Sequence, residues 1–236
     1  MKQLLIVQNI TREKPGLLEA VLAERNISYE LVDLDKGEAF PSPLDYQALI
    51  VLGGPDSAND TTGKMTQELA QVKIALDNKK PYLGICLGLQ VGVKAGGGTI
   101  VPSPHKEVGF IDPDGGPFTV QLTDAGKHDP LFADLTDELK VFHLHGETVE
   151  LTDDMVLLAS GAWCKNQIIK IGESAYGIQS HFEQTEAMLR VLAAEDPDLI
   201  PLGAEVLLAA YKAIEAEYTR TGQTLFRNFL DIAGLH

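Results

Sequence analysis

The segment around Cys86 has the residue types and spacing of a nucleophile. A short apolar run, Pro81–Ile85, reaches Cys86 between Gly84 and Gly88, and a helix-compatible segment follows. Such a strand–turn–helix junction predicts a strained backbone at its central residue and a side chain lifted clear of the sheet. Both glycines fit because a side chain there would collide with the neighbouring strand or helix. The start of the helix would favour the thiolate, since it carries unpaired N–H groups and a positive dipole end.

A matching base lies further along the chain, at His181. Glu183 follows two residues later, so in an extended segment the two side chains share one face. The carboxylate can then hold the imidazole Nδ1–H and leave Nε2 facing the thiol, as in a catalytic triad. A lone cysteine is more often a small buried apolar residue, and a lone His-x-Glu is a weak signal. Together the two motifs indicate nucleophilic catalysis.

A third segment predicts an oxyanion hole. A buried strand, Ala48–Leu52, runs into Gly53, Gly54 and Pro55. Backbone N–H groups left free there, with the N–H of Leu87 beside the nucleophile, would face a developing oxyanion. Without the other two motifs, an ordinary Gly-Pro turn would be the preferred interpretation.

Two histidines, His143 and His145, alternate on a predicted strand and raise the question of a metal. They lack a third ligand at a spacing usual for zinc, so we expect no metal site. We also expect no other cofactor.

These motifs resemble the class I (triad) glutamine amidotransferases, and within them the stand-alone proteins similar to the amidotransferase domain of GMP synthetase. The resemblance spans roughly residues 45–190, in which the order and spacing of the family's segments are kept. It rests on five segments, at residues 53–60, 84–90, 105–109, 142–148 and 177–183.

The resemblance implies a Cys86–His181–Glu183 triad that acts on L-glutamine or another γ-glutamyl substrate. It also implies a set of residues around the bound substrate: Gly53, Gly54, Gln90, Leu144, His145 and Gly146. The chain has no Ser-Gly-Gly-x-Asp-Ser loop for nucleotide activation. We therefore expect any synthetase or ammonia acceptor to be a separate protein.

One position departs from the family pattern. The family usually has proline between the triad histidine and glutamate, and here Phe182 stands there. Phenylalanine restores a backbone N–H and relaxes φ. We expect this change to loosen the alignment of His181 with Glu183 without removing a reacting atom.

Composition narrows the classes of partner and the compartment. The formal charge is −15, from 34 acidic and 19 basic residues, which argues against binding to nucleic acid or an anionic membrane. The two cysteines, Cys86 and Cys164, form no disulfide framework, as expected in a reducing compartment. No secretory signal and no apolar stretch of about 18 residues occurs. We predict a cytoplasmic protein.

The pattern of elements predicts an α/β fold with a flavodoxin-like, mostly parallel central sheet and helices on both faces. Strands and helices alternate up to residue 95, and the carboxyl ends of such strands hold ligands. Short strands from Thr99 to Gly177 predict an antiparallel extension that returns the chain to the sheet before His181. The predicted strands after residue 95 are Val108–Ile111, Phe118–Leu122, Val141–Leu144, Val156–Ala159 and Gln167–Ile171.

The C-terminal part is predicted to be helical, over Ala187–Ala194, Ala204–Thr219 and Leu225–Ala233. We divide the chain into an amidotransferase-like domain, residues 1–190, and a helical extension packed on it, residues 191–236. The second helix carries an apolar stripe: Leu208, Tyr211, Ile214 and Tyr218. Such spacing favours packing on the core, and a homodimer surface is the second interpretation.

Three function classes remain. The first is one subunit of an amidotransferase, which releases ammonia from glutamine through a γ-glutamyl thioester on Cys86. The second is a stand-alone hydrolase of γ-glutamyl amides or peptides with the same intermediate. The third, a non-catalytic binding relative, is disfavoured because the Cys–His–Glu set is intact.

Overall fold

A computed structural model describes residues 2–236; Met1, the first residue of the predicted amidotransferase-like domain, lies outside the described residues. The strands are β1 Lys2–Gln8, β2 Tyr29–Asp33, β3 Tyr46–Val51, β4 Tyr82–Ile85, β5 Thr99–Gly109, β6 Thr119–Leu122, β7 Glu138–Lys140, β8 His143–Glu150, β9 Val156–Gly161, β10 Ile168–Lys170 and β11 Ala175–Ile178. The helices are α1 Leu17–Glu24, α2 Gly63–Asp77, α3 Leu87–Ala95, α4 Glu186–Glu195 and α5 Ala204–Ile232.

Within the described residues, nine strands form one sheet in the order β2-β1-β3-β4-β11-β10-β9-β6-β7. Neighbours are parallel from β2 to β11 and antiparallel from β11 to β7. Strands β5 and β8 pair separately as an antiparallel ribbon. The predicted α/β class is confirmed, and the antiparallel strands do return the chain to the sheet before His181.

Alternation along the parallel strands divides the core into two layers. In β1, Leu4 and Ile6 join a cluster that includes side chains of α1, α4 and α5. Leu5 and Val7 point the other way, into a cluster with α2 and α3. All four are fully buried, and each such side chain stabilises the fold by about 1.5–3 kcal/mol. Both faces of the sheet are therefore covered by helices.

Two predicted elements near the site differ in the structure. The first two residues of the predicted strand Val141–Leu144 form the junction between β7 and β8, and its last two residues begin β8. The backbone of this junction makes hydrogen bonds to other segments. Val141 N–H donates to Phe118 O at 3.0 Å, and Phe142 O accepts from His181 N–H at 2.8 Å. The polar alternation after residue 142 then continues as β8, paired with a β5 that is longer than predicted.

The C-terminal helices also differ from the prediction. Ala204–Thr219 and Leu225–Ala233 are parts of one continuous helix, α5. Gly222 lies inside it, where a Cβ would come 2.2 Å from the Phe182 carbonyl oxygen. Glycine weakens a helix interior, but here it allows the helix to approach the segment that carries His181. The predicted domain boundary at residue 190 falls inside α4.

The topology brings the candidate site residues to one edge of the sheet. Because β1, β3, β4 and β11 are parallel, their carboxyl ends meet there. Cys86 directly follows β4, and His181 follows β11 by three residues. Gly53 and Gly54 follow β3, and the loop after β1 lies at the same edge. Among the described residues, no helix is long and apolar enough to cross a membrane.

Candidate active site

Cys86 occupies the sharp turn between β4 and α3. Its φ of 52° and ψ of −106° place a non-glycine residue in the left-handed half of conformational space, a strained state that surrounding structure must hold. A Cβ at Gly84 would lie 2.3 Å from Gly88 O, and one at Gly88 would lie 2.2 Å from Val51 O. Glycine is therefore required at both positions, as predicted from the sequence.

His181 and Glu183 form a buried pair beside the cysteine. Imidazole Nδ1 lies 2.5 Å from Glu183 Oε1, and the exposed fractions of the two residues are 2% and 4%. Gln184 Nε2 also donates to Glu183 Oε1, at 2.9 Å. On the other side of the ring, the Cys86 side chain interacts with the imidazole, and within residues 2–236 no other group bonds Nε2 of His181.

The charge of His181 is set by burial and by its two neighbours. Burial by itself lowers the pKa of the imidazole, but the Glu183 carboxylate and the Cys86 sulfur raise that pKa well above its usual value. A raised pKa favours the imidazolium, which is the proton donor that an acyl-transfer step requires. The arrangement therefore supports a protonated imidazole beside the Cys86 sulfur.

Phe182 does not loosen the pair, contrary to the expectation from the sequence. Its backbone N–H donates to Glu183 Oε2 at 3.0 Å, a bond that proline could not make. Its ring is 1% exposed and stacks on Tyr218 at 6.4 Å between centroids. The substitution adds a donor that fixes the carboxylate.

Helix α5 also positions this segment. The Tyr218 hydroxyl donates to His181 O at 3.0 Å and accepts from Gln184 N–H at 3.3 Å. With the close approach of Gly222 to Phe182, these bonds fix the backbone on both sides of Glu183. The predicted apolar stripe of α5 thus packs on the core, next to the site.

The predicted oxyanion donors lie at the cavity wall. Leu87 is the first residue of α3, so its N–H has no partner inside the helix. Gly54 faces the same cavity and packs on Asn9, whose Nδ2 donates to Leu52 O at 3.2 Å and to Glu68 Oε1 at 3.0 Å. This network fixes the segment that follows β3, which includes Gly54.

A cavity of about 370 Å³ opens at Cys86. It is lined by residues from seven parts of the chain: Arg12, Glu13, Gly54, Pro55, Asp56, Ser57, Cys86, Leu87, Gln90, Lys106, Leu144, His145, Gly146, Glu147, His181, Asp196, Pro197 and Asp198. Of the predicted substrate residues, only Gly53 is absent from this lining. A Cβ at Gly53 would lie 3.4 Å from Cys86 Cβ, so this residue adjoins the nucleophile.

Sequence reasoning missed two side chains close to the reacting groups. Gln179 Nε2 lies 3.8 Å from Cys86 Sγ, and its Oε1 contacts Gln90 Nε2 at 3.5 Å. Its position two residues before His181 was the available signal, since such residues share a face of an extended segment. Glu13 is the other, and its signal was its place in the loop after the first strand.

The structure supplies His143 and His145 with a third ligand-type neighbour, Glu107 from β5. Ligand atoms of the three buried side chains lie within 4.8 Å of one another. Glu107 Oε2 is already engaged, at 2.8 Å from His145 Nε2 and 3.0 Å from Gln167 Nε2. Burial, His145 and His181 hold the pKa of His143 well below its usual value. We assign this cluster to positioning of the 144–146 segment.

The comparisons with known proteins agree with this geometry. The family profile "Glutamine amidotransferase class-I" matches residues 16–190. The glutamine amidotransferase-like protein YfeJ of Salmonella typhimurium is 31% identical over 203 residues, which cover 83% of this chain and 82% of YfeJ. The chain belongs to the class I glutamine amidotransferase family.

Among more distant relatives, the matching part is either a separate subunit or one part of a longer chain. One subunit of the glutamine-hydrolysing GMP synthase of Natronomonas pharaonis is 29% identical over 170 residues, covering 70% of this chain and 81% of that subunit. The chain spans only 40% of a longer GMP synthase from Aliivibrio fischeri. The crystal structure of a glutamine amidotransferase from Thermotoga maritima matches with a TM-score of 0.85 over 98% of both chains at 24% identity, which establishes the fold.

Proposed function

We propose that this chain is a cysteine hydrolase that releases ammonia from the side chain of glutamine. The observation that carries the proposal is the pair of His181 and Glu183, 2.5 Å apart, beside a cysteine at a strained elbow that opens onto a cavity. Family membership supports glutamine as the substrate. The three side chains are catalytic residues in this proposal.

The reaction has two halves. Cys86 thiolate attacks the γ-carbonyl carbon, and the N–H groups of Gly54 and Leu87 bind the oxyanion. His181 donates its proton to the departing nitrogen, which leaves ammonia and a γ-glutamyl thioester. Water then attacks the thioester, His181 takes its proton, and glutamate leaves as the Cys86 thiolate and the imidazolium are restored. Glu183 holds the imidazole in the required tautomer throughout.

A second candidate is a stand-alone hydrolase of larger γ-glutamyl amides or peptides. The observation that favours it is the extent of the cavity, which continues from Cys86 to Lys106 and Asp198 at its rim. The same thioester chemistry applies, and only the leaving amine differs. We prefer the amidotransferase activity because the Salmonella relative is a glutamine amidotransferase-like protein and the Natronomonas relative is a subunit of a glutamine-hydrolysing GMP synthase.

A separate synthetase is the proposed partner. The Natronomonas relative indicates that such chains can work within an assembly of several chains. We propose that this chain works in the cytoplasm, where it takes glutamine as its substrate. Docking would act on the Gly53–Gly54 strand end, because one well-placed oxyanion donor is worth about 2.7–4 kcal/mol of barrier. We therefore propose slow glutamine hydrolysis by the chain alone and a faster rate in complex.

The experiment measures glutamate released by the purified chain from glutamine and from a series of γ-glutamyl peptides. We expect slow but measurable release from glutamine and none above background from the peptides. An arm containing EDTA should give the same rate, since the Glu107 cluster is assigned to positioning. Rapid turnover of a peptide with glutamine as a poor substrate would replace the preferred activity with the second candidate.

A further inference from the structure

Glu13 is a carboxylate in the cavity that the proposed reaction does not use. It is 7% exposed and lines the cavity with Cys86 and His181. In the described part of the chain, its oxygens have neither a hydrogen bond nor an ion pair. The neighbouring Arg12 pairs with Asp196 instead, at 3.0 Å. A carboxylate that faces the cavity and accepts from no protein group can accept a hydrogen bond from a bound ligand.

The position of Glu13 is beside the proton donor. A Cβ built at Gly53 would lie 2.5 Å from Glu13 Oε2, 3.2 Å from His181 Cε1 and 3.4 Å from Cys86 Cβ. The carboxylate, the imidazole and the nucleophile therefore surround one corner of the cavity. Because His181 protonates the departing group, that group must lie next to the imidazole. Glu13 thus faces the leaving-group side of the substrate.

The loop that carries Glu13 is fixed to the segment that carries the base. Glu13 N–H donates to Ile10 O at 3.1 Å, and Leu17 N–H donates to Glu183 O at 2.9 Å. Gly16, at φ 56°, has no room for a side chain, because a Cβ would clash with the same Glu183 oxygen. Glu13 is therefore held in register with His181.

We propose that Glu13 accepts an N–H of the leaving nitrogen and makes the site selective for γ-glutamyl amides over γ-glutamyl esters. This inference rests on the proposed function. An ionised carboxylate is an acceptor only. A primary amide offers it a second N–H, whereas an ester oxygen offers no hydrogen and meets it lone pair to lone pair. Glu13 makes and breaks no covalent bond.

The protonation state of Glu13 adds a pH signature. Burial raises the pKa of Glu13 to about 6, opposed by His181 and Arg12 and assisted by Glu183 and Asp196. Above about pH 6 the acceptor is ionised, and below it protonation leaves a weaker, neutral acceptor. We expect kcat/KM for glutamine to fall as the pH drops through this range, and kcat/KM for an ester to lack that step.

The test compares wild type with Glu13→Gln on glutamine and on glutamate γ-methyl ester. We expect kcat/KM for glutamine to fall about 10-fold, because the neutral amide oxygen of the variant is a weaker acceptor than a carboxylate. We expect kcat/KM for the ester to stay level or rise, because the repulsion between lone pairs is relieved. Glu205→Gln makes the same change at an exposed position on α5 and should alter neither. Above pH 6, Glu13→Gln should unfold no more easily than wild type, because ionising the buried carboxylate costs stability there.

Equal losses on amide and ester, or a clear fall in unfolding temperature, would show that Glu13 is only structural and overturn the inference. A wild type that hydrolyses neither substrate would instead overturn the proposed function, and this inference with it. A wild type active on both, with a larger loss on glutamine than on the ester in Glu13→Gln, supports both.

Discussion

Replacing Cys86 with serine should abolish glutamine hydrolysis while leaving the fold intact. Serine is nearly isosteric, so it fits the elbow between Gly84 and Gly88. Its hydroxyl is far less ionised than a thiol, and the imidazolium that favours a thiolate does not make an alkoxide. Steady-state release of glutamate measures the loss, and circular dichroism measures the fold.

Cys164→Ser is the matched control. Cys164 is 1% exposed, its Sγ lies 3.1 Å from Thr148 Oγ1, and burial raises the pKa of its thiol. It lies outside the cavity lining, so its replacement should leave turnover near wild type. Retained hydrolysis in Cys86→Ser would show that the reaction does not pass through this residue.

His181→Ala should lower kcat more than Glu183→Gln, because the first removes the base and the second removes only the charge that orients it. His181→Ala deletes the group that gives the proton to ammonia and takes it from water, and we expect kcat to fall about 10²–10⁴-fold. Glu183→Gln keeps a polar side chain beside the imidazole but loses the charge that raises the pKa of His181. Its loss should be smaller, and the rate should decline at a lower pH than in wild type as the imidazolium deprotonates.

The measurement is a pH profile of kcat for wild type and both variants. Gln184 Nε2 and Phe182 N–H donate to different oxygens of the Glu183 carboxylate. Glutamine has one oxygen, so Glu183→Gln also leaves one of these two donors without an acceptor. A Glu183→Gln enzyme with the rate and pH profile of wild type would exclude that carboxylate from the mechanism.

The reacting groups were predictable because each has a signal in the residues next to it. Cys86 lies between Gly84 and Gly88, and glycine is required at both positions for steric reasons alone. His181 and Glu183 share a face through simple alternation. The sheet edge that joins them to Gly54 follows from the strand–helix order of the first hundred residues.

What sequence reasoning missed depends on contacts between distant segments. Nothing local to Phe182 indicates that its N–H would bind Glu183, and the expected loosening was wrong. The presence of Gly222 inside α5 is explained by the Phe182 carbonyl oxygen, which this part of the helix approaches closely. The meeting of Glu107 with His145 depends on the pairing of β5 with β8, a long-range register that single-sequence patterns do not specify.

Covalent trapping tests the central claim most directly. The protein is treated with a glutamine-like electrophile, such as a chloroketone analogue, and the modified residue is located by peptide mass spectrometry. The account predicts one adduct, on Cys86, with Cys164 unmodified and with labelling slowed by excess glutamine. Equal labelling of the two cysteines, or labelling of Cys86 that glutamine does not slow, would contradict the assignment of Cys86 as the nucleophile of a glutamine site.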